Sequence, residues 1–379
     1  MENLVILGST GSIGKQTLDV LRKKKGYYKV LGLAAKDEIE ILSSQIREFK
    51  PEIVSVAEKE TASKLLKLFP SLKIYFGEKG LIELSTNQKA DSIVFSTSGI
   101  VCLKPLIEAI KKRKKVLVAN KEILITAGEI INRYLDKYKA EFLPLDSEHS
   151  AIFQCLKGEN KNEIKNLTLT CSGGPFRNYP KNKLKEVTIK EVLSHPVWKM
   201  GPKITVDSAT LLNKGFEVLE AHYIFRVPLE KIKVVVHPEC IIHSMVEFQD
   251  GSVKALLSVP DMRIPIQYAI FHPKRLPDLL EPLDLIKIKN LSFFEPDTKK
   301  FPCLKFAYWA GKIGKTMPAA LVFADEIAAQ KFLNNEIKFL DIPKLIEKIL
   351  ESHRPKLVSK IENIFEVEKW VYEKIEELL

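Results

Sequence analysis

Near its amino end the chain reads Leu4-Val5-Ile6-Leu7-Gly8-Ser9-Thr10-Gly11-Ser12-Ile13-Gly14. The four apolar residues predict a buried strand, and the apolar spacing after the last glycine predicts an amphipathic helix through Leu18 and Leu21. Glycines at such a junction let the backbone approach a pyrophosphate, which the free N–H groups of a helix N-terminus also favour. The spacing is G-x-x-G-x-x-G rather than G-x-G-x-x-G, so a tight turn that binds no nucleotide is the alternative.

The first half of the chain repeats this alternation of short apolar runs and helical patterns. Strands that alternate with helices are joined by parallel crossovers, so the pattern predicts an α/β fold with a Rossmann-like domain. The apolar runs lie at residues 4–7, 30–35, 53–56, 93–96, 116–119 and 141–145.

The residue that follows the second predicted strand bears on the cofactor. An NAD-binding domain usually places an acid there, on the ribose 2′-hydroxyl. Here Ala35 is followed by Lys36, whose cation can accept a 2′-phosphate, so NADP is favoured over NAD. Asp37 is adjacent to Lys36, and a solvated loop lysine is the alternative interpretation.

The second half of the chain has a different pattern. From about residue 167 the strands become amphipathic and Asp250-Gly251 is a hairpin signal, which predicts a mixed α+β domain. Further on, prolines mark an extended connector, and helical spacing then continues with breaks near Pro318, Pro343 and Pro355. The expected division is an NADP-binding domain (1–146), a central α+β catalytic and dimerisation domain (147–270), a connector (271–302) and a C-terminal α-helical bundle (303–379).

Acidic residues form the pattern of a metal site. Asp146 and Glu148 follow the apolar run 141–145, and if the strand continues their side chains project from one face. Asn213, Lys214 and Glu217 lie within one helical turn of each other. Glu217 supplies a third acid beside Asp146 and Glu148. Three oxygen ligands with no cysteine among them favour Mn²⁺ or Mg²⁺ over structural zinc, and Co²⁺ is a further candidate. An isolated Asp-x-Glu would be only a solvated strand end.

Several short stretches carry groups that suit a phosphorylated substrate. The stretch Ser172-Gly173-Gly174-Pro175-Phe176-Arg177 offers a hydroxyl and exposed N–H groups for phosphate, although an ordinary hairpin has the same composition. Ser208 adds a hydroxyl, and we expect it just before the helix of Asn213 or in its first turn. Lys121 follows the run 116–119, where it can stabilise an oxyanion, although a lysine after a strand is by itself usually a surface residue.

The stretch 195–202 has two prolines and a glycine, which argue against regular structure. Its His195, Trp198 and Met200 can cover a small ligand and exclude water. The stretch therefore predicts a lid, with a packed connector as the alternative.

Charge and cysteine content limit the class of protein. The formal charge is +11, but lysines alternate with acidic residues along the chain, which disfavours nucleic-acid binding and suits an anionic small substrate. No apolar run is long enough to span a membrane, and a strand at residues 4–7 leaves no room for a targeting peptide. Five widely spaced cysteines indicate reduced thiols, so we expect a cytoplasmic protein.

Taken together, the motifs resemble one family, the 1-deoxy-D-xylulose 5-phosphate reductoisomerases of non-mevalonate isoprenoid biosynthesis. The resemblance implies NADPH- and metal-dependent rearrangement and reduction of that sugar phosphate to 2-C-methyl-D-erythritol 4-phosphate, by a homodimer whose lid closes over substrate. Fosmidomycin, the family's inhibitor, would chelate the metal. The resemblance is carried by the glycine turn 8–14, Ala119-Asn120-Lys121-Glu122, Leu145-Asp146-Ser147-Glu148-His149, Ser172-Gly173-Gly174-Pro175-Phe176, His195-Pro196-Val197-Trp198-Lys199-Met200-Gly201 and Asn213-Lys214-Gly215-Phe216-Glu217.

The resemblance also implies roles for particular residues. Implied metal ligands are Asp146, Glu148 and Glu217, which with Lys121 are the expected catalytic groups. Implied substrate contacts are Lys121, Ser147, Glu148, Ser172, His195, Ser208, Asn213, Lys214 and Glu217, joined by Trp198 and Met200 of the lid. Implied cofactor contacts are Thr10, Gly11, Ser12, Ile13, Lys36, Asn120, Glu122 and Gly201.

The chain departs from the family pattern at two places. Ala35-Lys36-Asp37 stands where the family often has Gly, then Lys or Arg, then Asn, and Asp325-Glu326 stands where Asn-Glu is commoner. Two other functions remain open at this point. One is a different NADP-dependent two-domain dehydrogenase, which would not need three acids; the other is a non-catalytic NADPH-binding redox sensor, which would need a localised basic surface.

Overall fold

A computed structural model describes residues 1–198 and 200–378. The strands are β1 (Glu2–Leu7), β2 (Tyr28–Ala34), β3 (Ile53–Val56), β4 (Lys73–Phe76), β5 (Ser92–Phe95), β6 (Lys115–Val118), β7 (Phe142–Pro144), β8 (Ile164–Cys171), β9 (Ile232–Val236), β10 (Ile242–Phe248) and β11 (Val253–Leu257). The first helices are α1 (Ser12–Lys23), α2 (Ile39–Phe49), α3 (Lys59–Leu68), α4 (Gly77–Ser85), α5 (Leu103–Lys111), α6 (Lys121–Tyr138), α7 (Ser147–Cys155) and α8 (Ile189–Val192). The later helices are α9 (Pro202–Ala209), α10 (Leu212–Phe225), α11 (Arg263–Phe271), α12 (Leu285–Ile288), α13 (Cys303–Ile313), α14 (Met317–Leu333), α15 (Asp341–Ser352) and α16 (Glu362–Leu378). Short 3-10 turns lie at Lys161–Glu163, Lys181–Glu186 and Leu229–Lys231.

The chain divides by its internal contacts into two units. Unit 1 contains residues 1–123, 131–150 and 261–281, and unit 2 contains residues 124–130, 151–260 and 282–379, of which 199 and 379 lie outside the described residues. The four-part functional division expected from the sequence follows different boundaries and stays a prediction. No helix in the described part of the chain is long and apolar enough to cross a membrane.

Unit 1 is built on a seven-stranded sheet in the order β4-β3-β2-β1-β5-β6-β7, and all its neighbouring strands are parallel. The order reverses on the two sides of β1, whose last residue Leu7 is level with Ala34 of β2 and Phe95 of β5. Such a switch point at the carboxyl edge of a parallel sheet is where open α/β folds bind their ligands. The predicted apolar runs form strands of this sheet. They are apolar at successive positions because both faces of the central strands are buried.

Unit 2 contains a four-stranded sheet in the order β11-β10-β8-β9. Strands β8 and β9 are parallel, whereas β10 is antiparallel to both β8 and β11. The hairpin between β10 and β11 turns at Gly251, which confirms the Asp250-Gly251 signal. The inner face of the sheet is apolar: Leu167, Leu169 and Val246 pack with Val218 of α10 in one buried cluster.

Four helices, α13 to α16, form the C-terminal part of unit 2. Pro318 and Pro343 lie in the first turns of α14 and α15, where proline costs no helical hydrogen bond, and Pro355 lies between α15 and α16. The predicted breaks therefore coincide with helix boundaries. The middle helix α14 is buried over most of its surface, which its alanine-rich sequence permits.

Candidate active site

The glycine turn joins β1 to α1 as predicted. Gly8 has φ +90° and a Cβ there would lie 2.6 Å from the Ser96 carbonyl oxygen, so only glycine fits. Gln45 of α2 fixes the turn, because its side chain accepts from Ser9 Oγ at 2.8 Å and donates to Ser9 O at 2.9 Å. Since the N-cap of α1 is Gly11, no side chain at the cap position can take up the first N–H groups of the helix. These N–H groups and the helix dipole suit a pyrophosphate.

The segment after β2 contains an acid that the sequence reasoning missed. Lys36 is exposed in this segment, which is compatible with binding a 2′-phosphate from solution. Two residues later, Glu38 accepts a hydrogen bond from Thr10 Oγ1 at 3.0 Å and so ties this segment to the glycine turn. The available signal was the known preference for an acid shortly after the second strand of a Rossmann unit.

Asn120 has a structural role that its sequence position did not reveal. Its Oδ1 accepts from Ile123 N at 2.8 Å, which caps α6, and its Nδ2 donates to the carbonyl oxygens of Thr97 and Gly99, both at 2.7 Å. Glu122 is half-buried in the first turn of the same helix. Whether Asn120 and Glu122 contact a cofactor stays a prediction, as it does for Gly201.

The two acids at the end of β7 are not on a continuing strand, so the condition under which their side chains would project from one strand face is not met. The strand ends at Pro144 and α7 begins at Ser147, which places Glu148 in the first turn of a helix. Asp146 Oδ1 accepts from Glu148 N at 3.2 Å, in the manner of a helix cap. Acidic residues are favoured at this position because the helix dipole is positive there. The acids are therefore positioned by a strand-to-helix junction.

The surroundings of Asp146 supply the other predicted groups of unit 1. Lys121 Nζ pairs with Asp146 Oδ2, and the lysine is only 9% exposed. Ser147 Oγ donates to Glu148 Oε2 at 2.5 Å. His149 is fully buried, and its Nδ1 lies 3.6 Å from Asp146 Oδ1. Unit 1 thus brings Lys121, Asp146, Ser147 and Glu148 together.

The helix α10 carries the predicted acidic face of unit 2. Asn213 Nδ2 donates to Glu217 Oε1 at 2.7 Å, and Lys214 Nζ pairs with Glu217 Oε2. Glu217 is 2% exposed, and a buried carboxylate needs a counter-charge. The ammonium of Lys214 beside it supplies that charge. The prediction that these three side chains share one face is confirmed.

Ser208 lies on the preceding helix α9, which agrees with the expectation that it precedes the helix of Asn213. Leu211 adopts φ +61° between the two helices and separates them. The glycine turn of the substrate stretch lies against Ser208: Gly174 has φ +73°, and a Cβ there would lie 2.6 Å from the Ser208 carbonyl oxygen. The two predicted phosphate-binding segments are therefore neighbours.

Ser172 and His195 are in direct contact. Ser172 Oγ lies 3.0 Å from His195 Nε2 and also accepts from Gly174 N at 3.1 Å. His195 Nδ1 accepts from the N–H groups of Val197 and Trp198, at 3.2 and 2.9 Å. Burial lowers the pKa of His195 to about 4, so the ring is neutral near pH 7 and its proton is on Nε2. Ser172 therefore accepts two hydrogen bonds and has its own hydroxyl hydrogen to donate.

The predicted lid runs from the end of α8 to the start of α9 and has no regular structure in its described residues. Trp198 and Met200 are half-buried, and the Trp198 ring lies 6.3 Å from the His243 ring. Lys199, part of the motif in this stretch, lies outside the described residues. Closure of the segment over a ligand stays a prediction.

A parallel sheet with a glycine turn at its switch point, accompanied by carboxylates paired with buried lysines, is typical of a dinucleotide-dependent oxidoreductase that acts on a polar substrate. Comparison with known proteins identifies the family. Three family models match: 1-deoxy-D-xylulose 5-phosphate reductoisomerase over residues 4–128, its C-terminal domain over 142–225, and the DXP reductoisomerase C-terminal domain over 257–374. The chain belongs to the 1-deoxy-D-xylulose 5-phosphate reductoisomerase family.

Individual relatives agree along the whole chain. The reductoisomerase of Caldanaerobacter subterraneus is 51% identical over 99% of this chain and 98% of the relative. A reductoisomerase of Bacillus thuringiensis is 48% identical over 99% and 97%. The Zymomonas mobilis enzyme, solved in complex with NADPH, is 36% identical with a TM-score of 0.93, covering 100% of this chain and 98% of that one. A DOX-P reductoisomerase solved with NADPH, fosmidomycin and magnesium is 34% identical, with a TM-score of 0.94 and coverage of 100% and 99%.

Proposed function

We propose that this chain converts 1-deoxy-D-xylulose 5-phosphate into 2-C-methyl-D-erythritol 4-phosphate with NADPH and a divalent cation, a step in non-mevalonate isoprenoid precursor biosynthesis. The observation that carries the proposal is 51% identity to a reductoisomerase over 99% of the chain. The family structures solved with NADPH, fosmidomycin and magnesium support the cofactor and the metal.

The metal ligands in this proposal are Asp146, Glu148 and Glu217. The chemistry of the donor set fits Mg²⁺ or Mn²⁺, because all three residues supply carboxylate oxygens and no sulfur. When bound, the cation would act as a Lewis acid on the substrate's oxygen atoms. Asp146 and Glu217 each pair with a lysine, so a cation can replace an ammonium as the counter-charge of either carboxylate.

The lysines act on the substrate in the same proposal. Lys121 is buried beside Asp146, where its ammonium can stabilise negative charge on a substrate oxygen during the carbon–carbon rearrangement. Lys214 lies on α10 beside Glu217, with Asn213 as a further donor, and both are assigned to substrate oxygens. The isomerisation needs no external electron donor, and the aldehyde that it produces takes up a hydride and a proton to become the alcohol.

NADPH, when bound, supplies that hydride. Its pyrophosphate is assigned to the N-terminus of α1, where Thr10, Gly11, Ser12 and Ile13 form the turn. Its 2′-phosphate is assigned to exposed Lys36, and further contacts to Asn120, Glu122 and Gly201.

The substrate phosphate is assigned to unit 2. Ser172 has a hydroxyl hydrogen to donate, because its oxygen already accepts from Gly174 N and His195. Ser208 is beside the same glycine turn. Trp198 and Met200 would cover the ligand and exclude water, which protects reactive intermediates.

We also propose that the protein is a cytoplasmic homodimer. Strand β11 is the edge of its sheet, with Val253 55% exposed and Leu257 37% exposed, and a second copy would cover this apolar edge. The five free cysteines suit a reducing compartment. The functional division into 1–146, 147–270, 271–302 and 303–379 belongs to the same proposal.

The test follows the loss of NADPH absorbance on addition of 1-deoxy-D-xylulose 5-phosphate, with Mn²⁺ or Mg²⁺ and then with EDTA. We expect oxidation that requires the metal, and loss of at least about 100-fold in kcat/KM in Glu217→Gln. Glu230→Gln, which changes an exposed carboxylate, is the control and should match the wild type. A folded protein that binds NADPH but oxidises none of it would contradict the proposal and favour another NADP-dependent dehydrogenase or a redox sensor.

A further inference from the structure

Lys300 has an unusual environment for a residue in a stretch predicted to be a plain connector. Its side chain is buried, with 9% of the residue exposed. The ammonium donates to the carbonyl oxygens of Phe176 at 2.6 Å, Arg177 at 3.0 Å and Tyr179. These three oxygens are neutral, so the ammonium serves to hold a segment of backbone in place.

The held segment continues directly from the proposed phosphate turn. Arg177 of this segment also contacts the turn: its guanidinium donates to the Ser172 carbonyl oxygen at 3.0 Å. The Phe176 carbonyl oxygen also accepts from Tyr179 N at 3.0 Å, which closes the turn that Lys300 caps. A chain of hydrogen bonds therefore runs from Lys300 through residues 176–179 to Ser172.

The energetics favour a dedicated role for this lysine. A buried ammonium loses its hydration and is tolerated only when its protons are donated to good acceptors, which the three carbonyl oxygens provide. Burial lowers the pKa of Lys300 below its ordinary value, which reflects that cost. An apolar side chain of similar length would fill the same space but leave the three carbonyl oxygens without this donor.

We propose that Lys300 is a positioning residue for the substrate's phosphate. It fixes residues 176–179, and through Arg177 the Ser172 backbone, so that the hydroxyl of Ser172 faces the phosphate oxygens. Lys300 itself touches the turn and not the substrate. The identity of the phosphorylated ligand rests on the proposed function, whereas the positioning of the turn can be tested with inorganic phosphate.

The alternative is an anchor that stabilises the fold without affecting the site. The two roles differ in what a substitution changes. An anchor lowers the melting temperature and leaves substrate affinity alone, whereas a positioning residue changes the KM for the phosphorylated substrate and leaves the KM for NADPH alone.

The test compares the wild-type full chain with Lys300→Met, Lys300→Arg and the neighbouring Lys299→Met, whose side chain is exposed. We expect Lys300→Met to raise the KM for 1-deoxy-D-xylulose 5-phosphate about tenfold, the effect of losing charge-assisted hydrogen bonds. The KM for NADPH and kcat should change less than about twofold. Lys300→Arg should restore part of the affinity, and Lys299→Met should match the wild type.

Calorimetric titration with inorganic phosphate makes the test independent of turnover. We expect the Kd for phosphate to rise about tenfold in Lys300→Met. If the wild type binds phosphate but does not oxidise NADPH, the proposed function fails. The positioning role is then decided by the phosphate Kd of Lys300→Met compared with that of the wild type. If Lys300→Met binds phosphate and substrate as the wild type does, or the wild type does not bind phosphate, the positioning role is overturned. Should Lys300→Met not fold, Lys300→Gln, which keeps a neutral donor, is measured in its place with the same two expected outcomes.

Discussion

The hydroxyl oxygen of Ser172 lies 3.0 Å from Nε2 of His195, although the two residues are 23 positions apart in the sequence of unit 2. Ser172 follows strand β8, whereas His195 lies in the proposed lid. The proposed lid is therefore in contact with the proposed phosphate turn through a histidine, and the protonation state of this histidine decides which of its nitrogens can donate. The pKa of that histidine is the first quantity to test.

The imidazole of His195 should titrate far below the ordinary range. Burial lowers its pKa to about 4 from 6.5, because the charged form loses hydration. Between these two pH values the unfolded chain binds the proton and the folded chain does not, so the stability that His195 contributes is present above about pH 6.5 and falls as the pH approaches 4. NMR titration of ¹³C-labelled histidine rings, with His195→Gln for assignment, measures this. A midpoint near 6.5 would show that the ring is solvated.

Lys36 should select the cofactor. Lys36→Met removes the cation assigned to the 2′-phosphate, so the KM for NADPH should rise about ten- to a hundredfold. The KM for NADH should not change, because NADH lacks that phosphate. Lys79→Met, which removes another exposed lysine of unit 1, is the matched control. Equal effects on NADPH and NADH would remove Lys36 from the phosphate contact.

Gly174 should be required for substrate binding and not only for the fold. Gly174 and Gly251 have φ +73° and +86°, so alanine at either position costs about 1–3 kcal/mol in backbone strain. Only at Gly174 does the new Cβ meet another atom, the Ser208 carbonyl oxygen at 2.6 Å; at Gly251 nothing lies within 4 Å.

We therefore expect both alanine variants to melt at a lower temperature and only Gly174→Ala to raise the KM for substrate, by about tenfold or more. Thermal unfolding and steady-state kinetics on the same samples give both quantities. If Gly174→Ala loses stability and keeps its KM, the turn does not bind the phosphate.

The parts of the fold that the sequence predicted are those with a local physical signal. Strands such as β3 and β5 are buried on both faces and therefore appear as continuous apolar runs. The edge strand β4 was missed because its apolar run, Ile74 to Phe76, is only three residues long and its residues are mostly exposed. The start of α7 at Ser147 was missed because the chain's turn after Leu145 has no glycine or proline to indicate it.

The site was predictable where its residues are neighbours in the sequence. Asn213, Lys214 and Glu217 share a face because four residues make about one helical turn. Glu38 is 28 residues from Thr10, and Lys300 is 124 residues from Phe176. No local sequence pattern indicates contacts between residues so far apart in the chain. Such partners become visible only when the chain is folded.

The pair formed by Lys203 and Asp325 makes a prediction about stability. Asp325 on α14 is fully buried and pairs with Lys203 Nζ, which also lies 2.8 Å from Asp207 Oδ2 and 4.9 Å from the centroid of the Phe216 ring. Two buried carboxylates thus share one ammonium at the start of α9. Removing the shared cation should cost far more than removing one of the two acids, because both buried carboxylates lose an ion pair at once.

We expect Lys203→Met to lower the free energy of unfolding by about 3–5 kcal/mol, and Asp325→Asn to change it by about 1 kcal/mol or less, since Lys203 keeps Asp207 as a partner. The double variant should be more stable than Lys203→Met alone, because it has one buried carboxylate fewer. Lys254→Met, which breaks an ion pair with Glu159 on a half-exposed lysine, is the control and should cost about 1 kcal/mol or less. Thermal and urea unfolding followed by circular dichroism measure all four. A Lys203→Met variant as stable as the wild type would mean that the two carboxylates do not depend on Lys203 for their charge balance.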